Sequence, residues 1–477
     1  MSSRPLTFLI PPDSPLPKGL EELCEEFVAV CESAVHPLEI AGALEADGWT
    51  DQALRKQYGV SDVFTVAEEM YRRVPRRPVE RRPQLDAWRA SRWRPVVHGM
   101  LYGIPAVCFA AAAGLLTGGH ARAVFIVALL VSWTLSQGLA YLGYLRLGQG
   151  VPAQAERVLL AGLGIGVAAV LAAMFAVSVL APARTSVLLF GVALGLYMQA
   201  ATVMLVLGAE RQLFLALAPG VLGATAFLLL GRPLYLEHAT WAVLAATPLA
   251  AFGMALARTI GAARIRRGGR TPAAKREKLL SVAEVCAALP SAGFGLVAGG
   301  LLVFPIAVAK PGHGAGIAAL LASLPLSLSM GAAEWILGWF RHRTQRAMRS
   351  THKLRAFTSR SRLLLAAAAL QYLVVTLLLT VAVVAVATIG RVLPFQWPAL
   401  PQIATYLALG CSLFVSMLLN AFGSRIIPVA AGAAALAIEI ICQVFGVDGQ
   451  IVVCIALLTV LGAYATSVLG SAARHAY

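Results

Sequence analysis

From residue 95 onward the apolar positions neither alternate nor keep to one helical face. They run on for roughly 20 residues at a time, the length a helix needs to cross a hydrocarbon core. Twelve such runs stand between short polar breaks: 95–117, 122–145, 158–180, 185–207, 212–230 and 238–260, then 281–308, 314–340, 363–389, 402–421, 426–445 and 450–471. Upstream the pattern is that of a small water-facing helical domain. Leu20, Leu23, Phe27 and Val30 recur at helical spacing, and Pro37–Ala46 reads as a second helix ended by Asp47-Gly48. Thr50 caps a third helix that Gly59 ends, and Ser61-Asp62 cap a fourth carrying Val63, Phe64, Val66, Ala67 and Met70. The expected fold class is an all-α integral membrane protein, with twelve transmembrane helices behind a small helical N-terminal domain.

Composition agrees. The 477 residues are 59% hydrophobic and 13% charged, with mean hydropathy +0.76, where soluble chains carry about a quarter charged residues. Charge then orients the spans. Residues 1–70 hold 13 acids against 4 bases, whereas the rest holds 10 acids against 35 bases. With both termini cytoplasmic, inside segments from Arg72 onward carry 30 Lys/Arg and outside loops only 5, namely Arg122, Arg184, Arg232, Lys310 and Arg391. That split is the positive-inside signature. It accounts for the basic balance without nucleic acid, which is not an expected partner.

The chain therefore divides into an acidic cytoplasmic domain (1–71), an Arg-rich juxtamembrane linker (72–94), six spans (95–262), a basic cytoplasmic linker (263–280) and six more spans (281–477). The linker at 72–94 packs nine arginines with Trp88 and Trp93, an anchor able to hold anionic lipid headgroups. Thr50…Tyr58-Gly59…Val66 has the order of a helix-turn-helix. Its last helix, however, presents Asp62, Glu68 and Glu69, which repel phosphate, so an interaction or regulatory role is the better reading. Met1–Ile10 lacks the features of a secretory signal. Cys24 and Cys31 form no metal motif, and the other five cysteines lie in apolar runs. No nucleotide-binding loop, dinucleotide fingerprint or H-E-x-x-H occurs, so neither cofactor, metal nor enzymatic activity is expected.

The two sets of spans echo one another. Leu142-Gly143-Tyr144-Leu145-Arg146 after span 2 returns as Leu337-Gly338-Trp339-Phe340-Arg341 after span 8. Gly208-Ala209-Glu210-Arg211 after span 4 returns as Gly423-Ser424-Arg425 after span 10. Internal repeats of this kind are common in transporters. Ser136-Gln137, then Arg146-Leu147-Gly148-Gln149-Gly150 and Ala155-Glu156-Arg157, resemble the span 2–3 region of the MOP superfamily of multidrug exporters and exporters of polysaccharides and lipid-linked oligosaccharides. The resemblance implies two six-helix lobes related by a pseudo-twofold axis, around a cavity opening alternately to each face of a bacterial plasma membrane. The acidic N-terminal domain and the long basic loop after span 8 depart from that pattern. They favour a polysaccharide exporter working beside a membrane glycosyltransferase or synthase over a drug exporter.

Intramembrane polar residues are the candidate site. His98 and Tyr102 in span 1, Gln137 and Tyr141 in span 2, Tyr197 and Gln199 in span 4, Gln371 and Tyr372 in span 9, and Asn420 in span 10 would offer a sugar hydroxyl partners and flat faces. Each is equally a candidate for an interhelical hydrogen bond. Glu284, Glu334 and Glu439 are candidates for proton coupling, because an unpaired carboxylate inside a membrane is costly. That points to the alternatives, a proton-coupled exporter of small amphipathic compounds or a non-transporting scaffold. Pro105, Pro219, Pro248, Pro290, Pro305, Pro325 and Pro428 each permit a bend. Pro290 with Gly293, Gly295, Gly299 and Gly300 makes span 7 the first candidate for a broken or flexing helix; the equal alternative is the ordinary tolerance of membrane helices for Gly and Pro.

Overall fold

The computed structural model describes residues 20–75, 94–112, 119–230, 234–265, 279–308, 323–350, 354–389 and 400–471. The Pro-rich start, the arginines of 76–93, most of the 263–280 linker and the Tyr102 side chain lie outside the described residues. The chain forms two compact units, Met1–Ala90 and Ser91–Tyr477.

The first unit holds five short helices: α1 Leu20–Glu26, α2 Val28–Ser33, α3 Pro37–Ala46, α4 Asp51–Tyr58 and α5 Val63–Arg73. The expected first helix is interrupted. Phe27 leaves helical geometry (φ −96, ψ 12) and turns its ring into the core, so the apolar residues fall on two short helices instead of one. Leu23, Ile40, Leu44, Leu54 and Met70 are almost wholly buried together. Thr50 caps α4, Gly59 ends it at φ +69, and Asp51 accepts the Val63 amide at 2.9 Å, tying α4 to the start of α5. Cys24 and Cys31 share this core, where burial pushes their thiols up to about 11 and about 12, so they are inert thiols at neutral pH.

Asp62 caps α5, accepting the Thr65 amide at 2.8 Å and the hydroxyls of Ser61 and Thr65. Those bonds, the Ser61 hydroxyl's first, hold its carboxyl below the usual carboxylate range. A carboxyl with a depressed folded-state pKa stabilises above its unfolded value and loses that contribution as pH falls through the folded one. Protection of the Thr65 amide, its exchange rate relative to the intrinsic rate at the same pH, should therefore persist at neutral pH and be lost only in strong acid. In Asp62→Ala that protection should be absent across the range.

Among the described residues of the second unit, ten helices are long and apolar enough to cross a membrane. They correspond to expected spans 2–7 and 9–12. In full they are Gly119–Gly148, Pro152–Leu180, Thr185–Val206, Glu210–Leu229, Leu234–Ile265 and Val282–Val308, then Leu354–Ile389, Leu400–Ala421, Ile426–Val444 and Gln450–Val468. Span 1 is described as Arg94–Gly103 and Ala106–Ala111, broken at Ile104-Pro105. Span 8 is described as 323–328, a turn at Ser329, and Met330–Ser350. Span 7 is one continuous helix, Val282–Val308, through Pro290 and Pro305. Its Gly295 and Gly299 lie against span 2, and Gly293 and Gly300 against span 11. The breaks fall instead in spans 1 and 8.

Spans 1–6 pack among themselves, and so do spans 7–12. Among the described residues, the substantial contacts between the two sets run through two pairs: span 1 with span 8, and span 2 with span 7. Advancing the span numbers by six turns each pair into the other. The same shift relates span pairs 2–3 and 8–9, 3–4 and 9–10, 4–6 and 10–12, and 1–5 and 7–11, all of which are in contact. The short sequence echoes therefore belong to a duplicated contact plan.

Candidate functional site

Both seams are built on missing side chains. Gly99 lies on the backbone of Gly331, and Gly103 on the carbonyl of Ser327, so no Cβ fits between spans 1 and 8. At the other seam, a Cβ on Gly295 would stand 2.8 Å from the Trp133 carbonyl oxygen and 2.9 Å from Gln137 Cγ. Close backbone approach of this kind packs membrane helices without needing a hydrophobic drive.

At the end of the bundle that carries the arginines, ionisable groups cross both seams. Arg146, on the last turns of span 2, pairs with Glu284 of span 7 at 2.8 Å and donates to the Leu279 carbonyl at 3.0 Å and to Gln149 at 2.8 Å. Glu284 has a second duty. Its carboxylate accepts the Ser281 amide at 2.8 Å, while the Ser281 hydroxyl accepts the Glu284 amide at 3.2 Å. This is a capping box opening span 7, and the S-x-x-E spacing in the sequence was the signal for it. The carboxylate of Glu284, a candidate for proton coupling, is engaged by an arginine and a helix cap.

His98 of span 1 stands between two carboxylates. Nδ1 is 3.7 Å from Glu210 at the start of span 5, and Nε2 is 3.7 Å from Glu334 of span 8. A protonated imidazole there bridges two lobes through a carboxylate on each side. Sequence reasoning named His98 and Glu334 but missed Glu210, although it sits in the Gly208–Arg211 echo. Its counterpart in that echo, Arg425, also crosses the seam. The guanidinium lies 4.5 Å from the centre of the Tyr141 ring in span 2, a cation–π contact.

Other expected site residues hold helices together. Tyr197 donates to the Leu101 carbonyl at 3.0 Å, and Gln199 donates to the Ser132 carbonyl at 3.1 Å, so span 4 ties spans 1 and 2 from behind. Tyr372 bonds the Ser329 hydroxyl at 2.8 Å, beside the break in span 8, and stacks on Phe414 at 4.7 Å. Each of the three thus makes a hydrogen bond to a neighbouring helix, although Gln199 keeps a buried Oε1 without a hydrogen-bond partner. Tyr197 also lines a cavity of about 60 Å³ inside the first lobe, walled by Pro105, Leu194, Leu244 and Pro248. Gln137 lies at the span 2–7 seam, Gln371 keeps a buried Oε1 without a hydrogen-bond partner, and Asn420 is half-buried. Glu439 is different again. It is 3% exposed inside the second lobe, with Oε1 accepting from the Cys454 thiol at 3.6 Å and Oε2 without a hydrogen-bond partner.

No family model matches the chain, and no curated protein matches it. Among solved structures its neighbours are MATE transporters. One is the Vibrio cholerae MATE transporter VcmN in the bent form, 15% identical, with TM-score 0.46 over 81% of this chain and 96% of that one. Another is a MATE in complex with MaD5, 15% identical, with TM-score 0.44 over 79% and 96%. A third is an inward-facing multidrug resistance MATE family transporter of the MOP superfamily, 14% identical, with TM-score 0.37 over 79% and 92%.

Proposed function

We propose that this chain is a twelve-span alternating-access transporter, and not an enzyme, that moves a polysaccharide or lipid-linked oligosaccharide across the bacterial plasma membrane. The observation that carries the reading is the pair of glycine-lined seams exchanged by the six-span shift. Two rigid lobes whose main contacts among the described residues lie there can rock about one seam as the other parts. The basic end is the cytoplasmic one, with both termini on that side, as the distribution of Lys and Arg supports. His98, Gln137 and Tyr141 stand at the seams, where a cargo entering from the cytoplasm would meet them. The acidic N-terminal domain is the piece that would recruit a membrane synthase.

The test is polysaccharide export from cells carrying the full chain or a version lacking residues 1–70. Export should fall sharply without the domain, and undiminished export would remove the docking role.

A second reading, proton-coupled export of small amphipathic compounds, is favoured by Glu439. A carboxylate buried in a membrane lobe with one oxygen unbonded is costly unless it carries a proton. The two readings divide on Glu439→Gln. Polysaccharide transport should survive that substitution, because a neutral amide of the same shape satisfies the site. A proton-coupled exporter should lose gradient-driven transport altogether.

A further inference from the structure

Among the described residues, the two halves differ at the turn after spans 2 and 8. At the end of span 2 the helix runs two residues past Arg146, to Gly148, and span 3 begins at Pro152. At the equivalent place in the second lobe the helix runs nine residues past Arg341, to Ser350, and span 9 begins at Leu354. Span 9 has 36 residues, about 54 Å of helix against a hydrocarbon core of about 30 Å. The second lobe thus carries a two-helix projection that the first lacks.

The projection is built, not frayed. Phe340, Thr344 and Ala347 on one helix and Phe357 and Ser361 on the other are buried at helical spacing. Ser361 donates to the Leu469 carbonyl at 2.6 Å and Thr358 to the Gly470 carbonyl at 3.0 Å, fixing it to the end of span 12. Its outer faces are basic: Arg343, Arg355, Arg360 and Arg362 are all exposed. No Asp or Glu occurs in the sequence between Glu334 and Glu439. Orientation alone does not require so many, since the first lobe manages with Arg146 and Arg157 at the corresponding turn.

We propose that Arg343, Arg360 and Arg362 bind the phosphate headgroups of anionic phospholipids in the leaflet at the basic end of the bundle. Their depth selects lipid over a soluble partner. Each lies within three residues of the last or first apolar residue, Phe340 or Leu363. That is about 5 Å along the helix, inside a headgroup layer about 5–7 Å thick. The Arg343 guanidinium lies 5.8 Å from the centre of the Trp339 ring, and tryptophan marks the membrane interface. Arg355 stands eight residues from Leu363, about 12 Å out, beyond that layer. The site does not depend on what the chain transports.

The experiment is the melting temperature of the purified full chain in detergent, with added phosphatidylglycerol, phosphatidylcholine or inorganic pyrophosphate. Phosphatidylglycerol should raise it by several degrees and the other two should not. Arg343→Gln with Arg360→Gln and Arg362→Gln should lose more than half of the rise, whereas Arg355→Gln should keep it. Should the triple Gln variant fail to fold, Arg360→Gln alone is measured in the same way and should lose part of the rise. A triple variant, or a single one in its place, that keeps the full rise overturns the proposal. So does an Arg355→Gln variant that loses it, which would mark a soluble partner at the tip, or a rise reproduced by pyrophosphate.

Discussion

Glu284→Gln should loosen the basic end of the bundle while leaving the start of span 7 intact. Gln at the third helical position still serves a capping box, so the bond to the Ser281 amide survives and only the charge facing Arg146 is lost. Arg146 would then hold span 7 through the Leu279 carbonyl alone. The open arrangement of the lobes should gain population by on the order of tenfold. The readout is a single cysteine at Gln137, in a background with the seven native cysteines replaced, labelled by a soluble maleimide. Its labelling rate should rise in Glu284→Gln and rise further in Arg146→Ala, which also frees the carbonyl. The double variant should match Arg146→Ala, because both changes break one pair. Additive effects would mean that the two residues act separately.

Gly99→Leu should have the larger effect on stability. Its side chain would be driven into the backbone of Gly331 with no flexible neighbour to yield, so spans 1 and 8 must separate. Overpacking of this kind costs about 1–3 kcal/mol in a well-packed core, and here two backbones have to move. The variant should melt lower and lose transport, whereas Gly253→Leu, which meets open space, should do neither. Equal melting temperatures for the two would remove the span 1–8 seam from the account.

What the sequence conveyed about the fold was carried by long apolar runs and by charge. Ten of the twelve expected spans appear as helices long enough to cross a membrane, because hydrophobic length is a strong signal for a single helix. The repeat was readable from the Arg146/Arg341 and Glu210/Arg425 echoes. Of these, Arg146 and Arg425 reach across the seams, while Glu210 faces His98 and Arg341 bonds the Ala421 carbonyl, each within its own half. Breaks were readable only as a set of candidate prolines. Pro290 sits within a continuous helix, while among the described residues spans 1 and 8 are interrupted at Pro105 and Ser329, beside their glycine contact. Proline weakens a helix locally, but packing decides whether it bends.

The candidate site divides along the same line. His98 and Glu334 were visible as ionisable residues inside spans, yet their third partner, Glu210, was hidden because it starts a helix, where an acid is ordinary. Tyr197, Gln199 and Tyr372 show the converse. A polar side chain in a membrane helix announces a hydrogen bond but not its direction, and these three spend theirs on neighbouring helices.

The central claim is that two rigid lobes move about the seams. Spin labels at Arg157→Cys in the first lobe and Gln345→Cys in the second, both exposed at the basic end, report the distance between the lobes in lipid nanodiscs. The account predicts two distance populations, with the longer one enriched by Glu284→Gln. A single distance, unchanged by that substitution and by cargo, would contradict it.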